Sequence, residues 1–190
     1  MGVRPGGGPV TGGLIERKIA AGNSTPICKG DLVQSLSTGY VALGAPGVAV
    51  SQAAGIFWGC RYLSVSQGKW VNSTYWPSGD HAIDGYAEII PISGVAPQWF
   101  KVQCDSNGPI TFANVGSNID IVVGTQSIIG GYGMSGMMVG AATIANTSTL
   151  PFRIVGLYSD IAAPGQNGTD NTSAYNIVLV QSNSMQETGI

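Results

Sequence analysis

From residue 14 onward the chain is a succession of short apolar runs rich in Val, Ile, Tyr, Phe and Trp, interrupted by Gly, Asn, Ser or Pro. Interruptions at about 8–12-residue intervals predict strands joined by tight turns. The runs are Pro26–Ser35, Tyr40–Leu43, Gly55–Ser64, Lys69–Tyr75, Gly85–Ile92, Gln98–Cys104, Ile119–Val123, Met137–Ile144, Leu150–Tyr158 and Ala174–Gln181. No window of a dozen residues joins a helical apolar period to good helix formers, so helices do not compete. Leu150–Tyr158 and Ala174–Gln181, the latter with Tyr175-Asn176-Ile177-Val178-Leu179-Val180, read as buried core strands. Leu36-Ser37-Thr38-Gly39 before Tyr40 and Ser64-Val65-Ser66-Gln67-Gly68 before Lys69 are turn sequences that predict hairpins, and hence antiparallel pairing. The expected fold class is all-β: a compact antiparallel β-barrel or β-sandwich.

The first 13 residues hold six Gly and two Pro and offer almost nothing to pack, a composition that repays the entropy of ordering only on another surface. Residues 1–20 are therefore expected to form an extended N-terminal arm, and residues 21–190 a single β domain, in line with the chain length. Two longer polar or Gly-rich stretches, Thr125–Gly136 and Ala163–Ser173, read as surface loops of the kind that contact partners.

Eight Lys and Arg, ten Asp and Glu and one His leave 9% charged residues, far below the roughly 25% of an ordinary domain, at a typical apolar fraction of 44%. Such a chain builds a core but leaves a neutral surface that associates readily. The net charge of -2 comes from scattered groups with no Lys/Arg stripe, which argues against nucleic-acid binding. No run approaches a membrane span, and no secretory leader is read at the N-terminus, so synthesis in a cytoplasm is expected. Cys28, Cys60 and Cys104 lie far apart without a Cys-x-x-Cys pair and are expected to be buried free thiols.

Three patterns bear on chemistry. Gly131-Tyr132-Gly133-Met134-Ser135-Gly136 fits the Gly-x-Gly-x-x-Gly spacing of dinucleotide sites, but no βαβ rhythm surrounds it, so no nucleotide cofactor is expected. His81 lies between Asp80 and Asp84 in what reads as a turn, with no second acidic cluster to complete a metal or general-base site and no Gly-x-Ser-x-Gly elbow to supply a nucleophile. No metal, cofactor or enzymatic activity is expected. The aromatics Trp70, Tyr75 and Trp76, with Phe57, Trp58 and Tyr62, fit core or subunit-interface packing, Trp58, Cys60 and Tyr62 sharing one strand face. The alternative is a sugar-stacking platform of Trp70, Tyr75 and Trp76.

Gly55-Ile56-Phe57-Trp58-Gly59-Cys60-Arg61-Tyr62 and Gly68-Lys69-Trp70-Val71-Asn72-Ser73-Thr74-Tyr75-Trp76-Pro77-Ser78-Gly79 resemble a recurrent segment of small virion proteins of tailed bacteriophages. Phe100-Lys101-Val102-Gln103-Cys104, Gly116-Ser117-Asn118-Ile119-Asp120, Leu150-Pro151-Phe152-Arg153-Ile154-Val155-Gly156-Leu157 and Asn176-Ile177-Val178-Leu179-Val180 resemble later parts of the same proteins. The chain thus resembles the capsid decoration, or cement, proteins over most of residues 26–183. That resemblance implies a β-rich knob, bound as a homotrimer on the outer surface of an icosahedral head, clamping neighbouring major capsid protein subunits. On that basis Arg4, Arg17 and Lys18 of the arm and the long loops are the expected capsid contacts. Trp58, Trp70, Tyr75 and Trp76 are the expected subunit-interface or core aromatics. A host-surface carbohydrate-binding head or tail fibre domain is the alternative function.

Overall fold

The computed structural model describes residues 13–92, 98–158 and 171–183. The described residues contain strands β1 (Ile15–Ile19), β2 (Ile27–Cys28), β3 (Leu32–Ser35), β4 (Val41–Leu43), β5 (Ala53–Leu63), β6 (Trp70–Ser73), β7 (Tyr75–Trp76) and β8 (Gly85–Pro91). They continue with β9 (Trp99–Gln103), β10 (Asn118–Ile119), β11 (Ile121–Val122), β12 (Ser127–Ile129), β13 (Tyr132–Met134), β14 (Met138–Val139), β15 (Phe152–Leu157) and β16 (Ile177–Ser182). The only helices among them are two short 3-10 turns. The protein is all-β, and every strand pair is antiparallel. Among the described residues no closed barrel is found.

Where the sequence reading has one β domain over 21–190, the chain groups into two compact units interleaved along its length. The first unites Met1–Gly44, Gln52–Ala96 and Thr125–Gly136; the second unites Ala45–Ser51, Pro97–Gly124 and Met137–Ile190. The expected surface loop 125–136 is thus the third piece of the first unit.

In the first unit the sheet runs β1-β8-β5-β3-β4, with β6 added to β5. Alternation makes it two-faced. Along β8, Gly85, Ala87 and Ile89 are buried while Tyr86 and Glu88 look outward, and Phe57, Cys60 and Tyr62 of β5 join them inside. Ile19, Ile27, Val33, Val41 and Trp76 complete this core. Trp76 has no exposed surface and fits because Gly85 opposite has no side chain: a Cβ there would run into the indole ring. The two hairpins read from the sequence are present: Gly39 (φ 85) closes β3–β4, and Gly68 (φ 63) closes β5–β6.

The extended arm of residues 1–20 does not reach residue 20. Ile15–Ile19 pair with β8 from Ile15↔Ile89 to Ile19↔Gly85, and Ile19 is wholly buried. Two isoleucines flanking three charged residues suffice for an edge strand, whose open side tolerates charge. Residues 1–12 lie outside the described residues, as does most of the expected loop Ala163–Ser173.

In the second unit the sheet runs β10-β15-β16-β9 over a core of Cys104, Ile110, Ile119, Ile121, Val139, Phe152, Ile154, Val178 and Val180. Phe152 and Val178, Val180 lie on the two strands read as most buried, and Phe100 of β9 meets Phe152 edge-on at 6.5 Å. Asn176 is buried and satisfied by exchanging hydrogen bonds with the backbone of Ile110 at 2.8 and 3.1 Å.

Candidate functional site

The outer face of the first unit's sheet is built from the residues that alternation turns away from the core. Gly59 and Arg61 of β5 lie opposite Glu88 and Tyr86 of β8, and Arg61 lies opposite Asn72 of β6. Arg61 stacks at 5.0 Å on Tyr86 and 5.6 Å on Trp70, and pairs with Glu16 of β1 at 3.4 Å. Both partners of that pair are about half exposed, so it contributes little to stability.

The β5–β8 ladder slips between Phe57 and Gly59. Trp58 is the extra residue of this bulge, so its ring emerges on the outer face at 45% exposure while Cys60 and Tyr62 stay inside. The expectation that Trp58, Cys60 and Tyr62 share a face is therefore corrected. Lys29 places its Nζ 3.5 Å above the centre of the Trp58 ring. Beside them a groove of about 480 Å³ opens, lined by Lys29, Trp58, Asn72, Thr74, Glu88 and Tyr132, with Gly59 in its lining. A Cβ on Gly59 would sit 3.0 Å from the Ser73 carbonyl oxygen.

Tyr132 belongs to the β12–β13 hairpin. The turn Gly130-Gly131 has φ of 59° and 83°, the left-handed pair that a two-residue hairpin requires and that glycine supplies without strain. Gly133 approaches so close to Tyr75 and Cys28 that no side chain fits, and its N–H donates to the Thr74 hydroxyl at 3.0 Å. The Gly-x-Gly-x-x-Gly spacing is thus a hairpin turn and a contact point; no helix follows it.

A buried carboxylate anchors this hairpin from behind. Asp31 is fully buried, and its Oδ2 accepts from the Cys28 N–H at 2.7 Å and the Gln126 amide at 2.6 Å. The Ser135 side chain hydrogen-bonds it as well, while Oδ1 has no partner among the described residues. Burial pushes this carboxyl above its usual range, against the opposing pull of those donors. Gln126 also donates to the Pro26 carbonyl, and the Ser135 N–H donates to the Lys29 carbonyl. Ile129 and Tyr132 at the tip and Met134 at the base are 76, 69 and 67% exposed.

His81 and its two neighbouring carboxylates are engaged separately. His81 Nε2 lies 2.8 Å from the Ala21 carbonyl oxygen, with its ring stacked 4.3 Å from Trp76. Asp80 accepts from the Ser64 hydroxyl and the Ser66 N–H, both at 2.7 Å, and holds the β5–β6 turn. Asp84 accepts from the Ala21 N–H and the Tyr40 hydroxyl. The described residues contain no group of three or more His, Cys, Asp or Glu placed to hold a metal. The three cysteines are free and buried as expected; burial, with the nearby Asp31 charge, pushes the Cys28 thiol up to about 11, and burial pushes that of Cys60 to about 12.

The remaining residues singled out from sequence are dispersed. Arg4 lies outside the described residues, while Arg17 and Lys18 are exposed on β1. Trp76 is core, Tyr75 is half-buried beside Gly133, and Trp70 is 46% exposed beside Arg61. Trp70, Tyr75 and Trp76 therefore make no common sugar platform. No helix among the described residues is long and apolar enough to cross a membrane. Compared with known proteins, the chain matches no family model, no curated protein and no solved structure.

Proposed function

We propose that the chain is a non-enzymatic structural virion protein that decorates and stabilises an icosahedral phage head, bound as a homotrimer across neighbouring major capsid protein subunits on the outer surface. The sandwich-like or barrel-like knob form, with a short arm ahead of β1, is part of this reading. Its class comes from the decoration-protein resemblance of the segments around Trp58 and Trp70. The observation that carries it is the β12–β13 hairpin, which holds Ile129, Tyr132 and Met134 in water from a fixed, buried anchor. Large apolar side chains presented on a pre-organised element gain by burial against a partner, each about 1.5–3 kcal/mol when fully covered. The proposed occupant is an apolar cleft of the major capsid protein, with Arg17, Lys18 and Arg4 as flanking contacts. Threefold symmetry multiplies a modest contact through avidity.

Replacing Ile129 and Met134 by Asp should leave the melting temperature nearly unchanged, because both side chains are already in water. It should weaken binding to expanded heads by at least ~10-fold, read by co-sedimentation and by occupancy in images of the particles. Wild-type protein that leaves such heads bare, or a double variant that decorates them as well as wild type, would refute the proposal. Because β1 belongs to the sheet, the arm is tested by removing residues 1–12 only; deletion to residue 20 would take out buried Ile19 and confound binding with folding.

A further inference from the structure

We infer that the groove between Trp58 and Tyr132 is a binding site for a neutral oligosaccharide. It is distinct from the Trp70, Tyr75 and Trp76 platform that the sequence suggests, and it holds whether or not the chain decorates a head. Its volume of about 480 Å³ falls in the ~300–1,000 Å³ range of small-ligand sites.

The chemistry of the lining selects the ligand. Tyr132, 69% exposed, offers an open ring for the apolar face of a sugar, while Trp58 forms the side wall, one of its faces covered by the Lys29 ammonium. Among the described residues, neither the Glu88 carboxylate, the Asn72 amide nor the Lys29 ammonium has a hydrogen-bond or ion-pair partner, although all three line one groove. Glu88 only accepts, Lys29 only donates, and Asn72 does both. A sugar hydroxyl meets that set well, since it donates to a carboxylate while accepting from an ammonium or amide.

Charge excludes the rivals. An anionic glycan would face Glu88, whose ladder neighbour Glu16 is paired with Arg61 and leaves Glu88 as the uncompensated carboxylate of the groove. A cationic ligand would face Lys29. With one charge of each sign and no direct pair between them, the groove favours a ligand that carries no net charge.

The test uses the free 190-residue chain on a glycan array, followed by saturation-transfer NMR with the neutral oligosaccharides that score. Glu88→Gln and Asn72→Ala lie on exposed positions of β8 and β6, outside the β12–β13 hairpin that carries the proposed head contact, so a loss of glycan binding at unchanged head occupancy separates the two readings. Binding of a neutral oligosaccharide that falls at least ~10-fold in each variant, at unchanged melting temperature and unchanged head occupancy, supports the inference. No neutral glycan bound, preference for sialylated or sulfated glycans, or neutral-glycan binding indifferent to both variants overturns it.

Discussion

Trp76→Ala should lower the unfolding free energy by about 3–5 kcal/mol, the cost of emptying a large aromatic site in a packed core. The indole has no exposed surface, and its Nε1–H donates to the Asn23 carbonyl at 2.9 Å. Its ring takes Tyr62 edge-on at 5.8 Å and His81 stacked at 4.3 Å, and Gly85 leaves the space that the ring fills. Collapse cannot close such a hole cheaply, because β5 and β8, which carry Tyr62 and Gly85 against the ring, are fixed by their shared ladder. Against total stabilities of about 5–15 kcal/mol the loss is severe. Trp76→Phe keeps most of the ring and loses the hydrogen bond, so it should cost distinctly less. Urea titration of both variants checks this, and an alanine variant within about 1 kcal/mol of wild type, close to the error of such comparisons, would show that the core is not built around Trp76.

The strands were legible wherever a run of β-branched and aromatic residues was bounded by turn residues, as in β5, β8, β15 and β16, because a strand packed on a core needs such a run. β1 was not, since three of its five residues are charged and only its ends touch the core. The β12–β13 hairpin carried an available signal: Gly130-Gly131 between Ile128-Ile129 and Tyr132 is a two-residue turn between apolar runs. In a chain with 29 glycines that signal read as loop. The division into two units was hidden because contiguous strands belong to different cores, and nothing local marks where the chain leaves one for the other.

The groove was the least legible part. Lys29, Trp58, Asn72, Glu88 and Tyr132 come from five separate stretches, and what brings them together is ladder register. That register depends on the bulge at Trp58, which reverses the side on which the indole emerges. Without the bulge, strict alternation would send Trp58 to the face of Cys60 and Tyr62, as the sequence reading has it. A bulge is set by the partner strand, so the sequence of β5 alone does not encode it.

Asp31→Ala should cost about 3 kcal/mol or more, since it leaves the Cys28 N–H, the Gln126 amide and the Ser135 side chain without their acceptor in a buried site, at roughly 1–3 kcal/mol each. Asp31→Asn keeps an oxygen where Oδ2 sits and replaces the unpartnered Oδ1 by an amide group, so at neutral pH it should lie much closer to wild type. The two variants also separate charge from hydrogen bonding. In the unfolded chain this carboxyl titrates near about 3.9, whereas burial holds it higher in the folded state. Folding therefore takes up a proton between the two values, and the contribution of Asp31 is fullest below the unfolded value and is lost as pH rises through the folded one. The stability difference between wild type and Asp31→Asn should accordingly shift in favour of the variant as pH rises from about 4, then level off once the folded carboxyl has ionised. Because Gln126 and Ser135 flank the hairpin, Asp31→Ala should also release it, seen as faster amide exchange at Tyr132 and Gly133 than in Asp31→Asn. An Asp31→Asn variant that follows wild type at every pH would place the carboxyl at its ordinary value. Unchanged exchange in Asp31→Ala would mean that Gly133, packed against Tyr75 and Cys28, holds the hairpin without help.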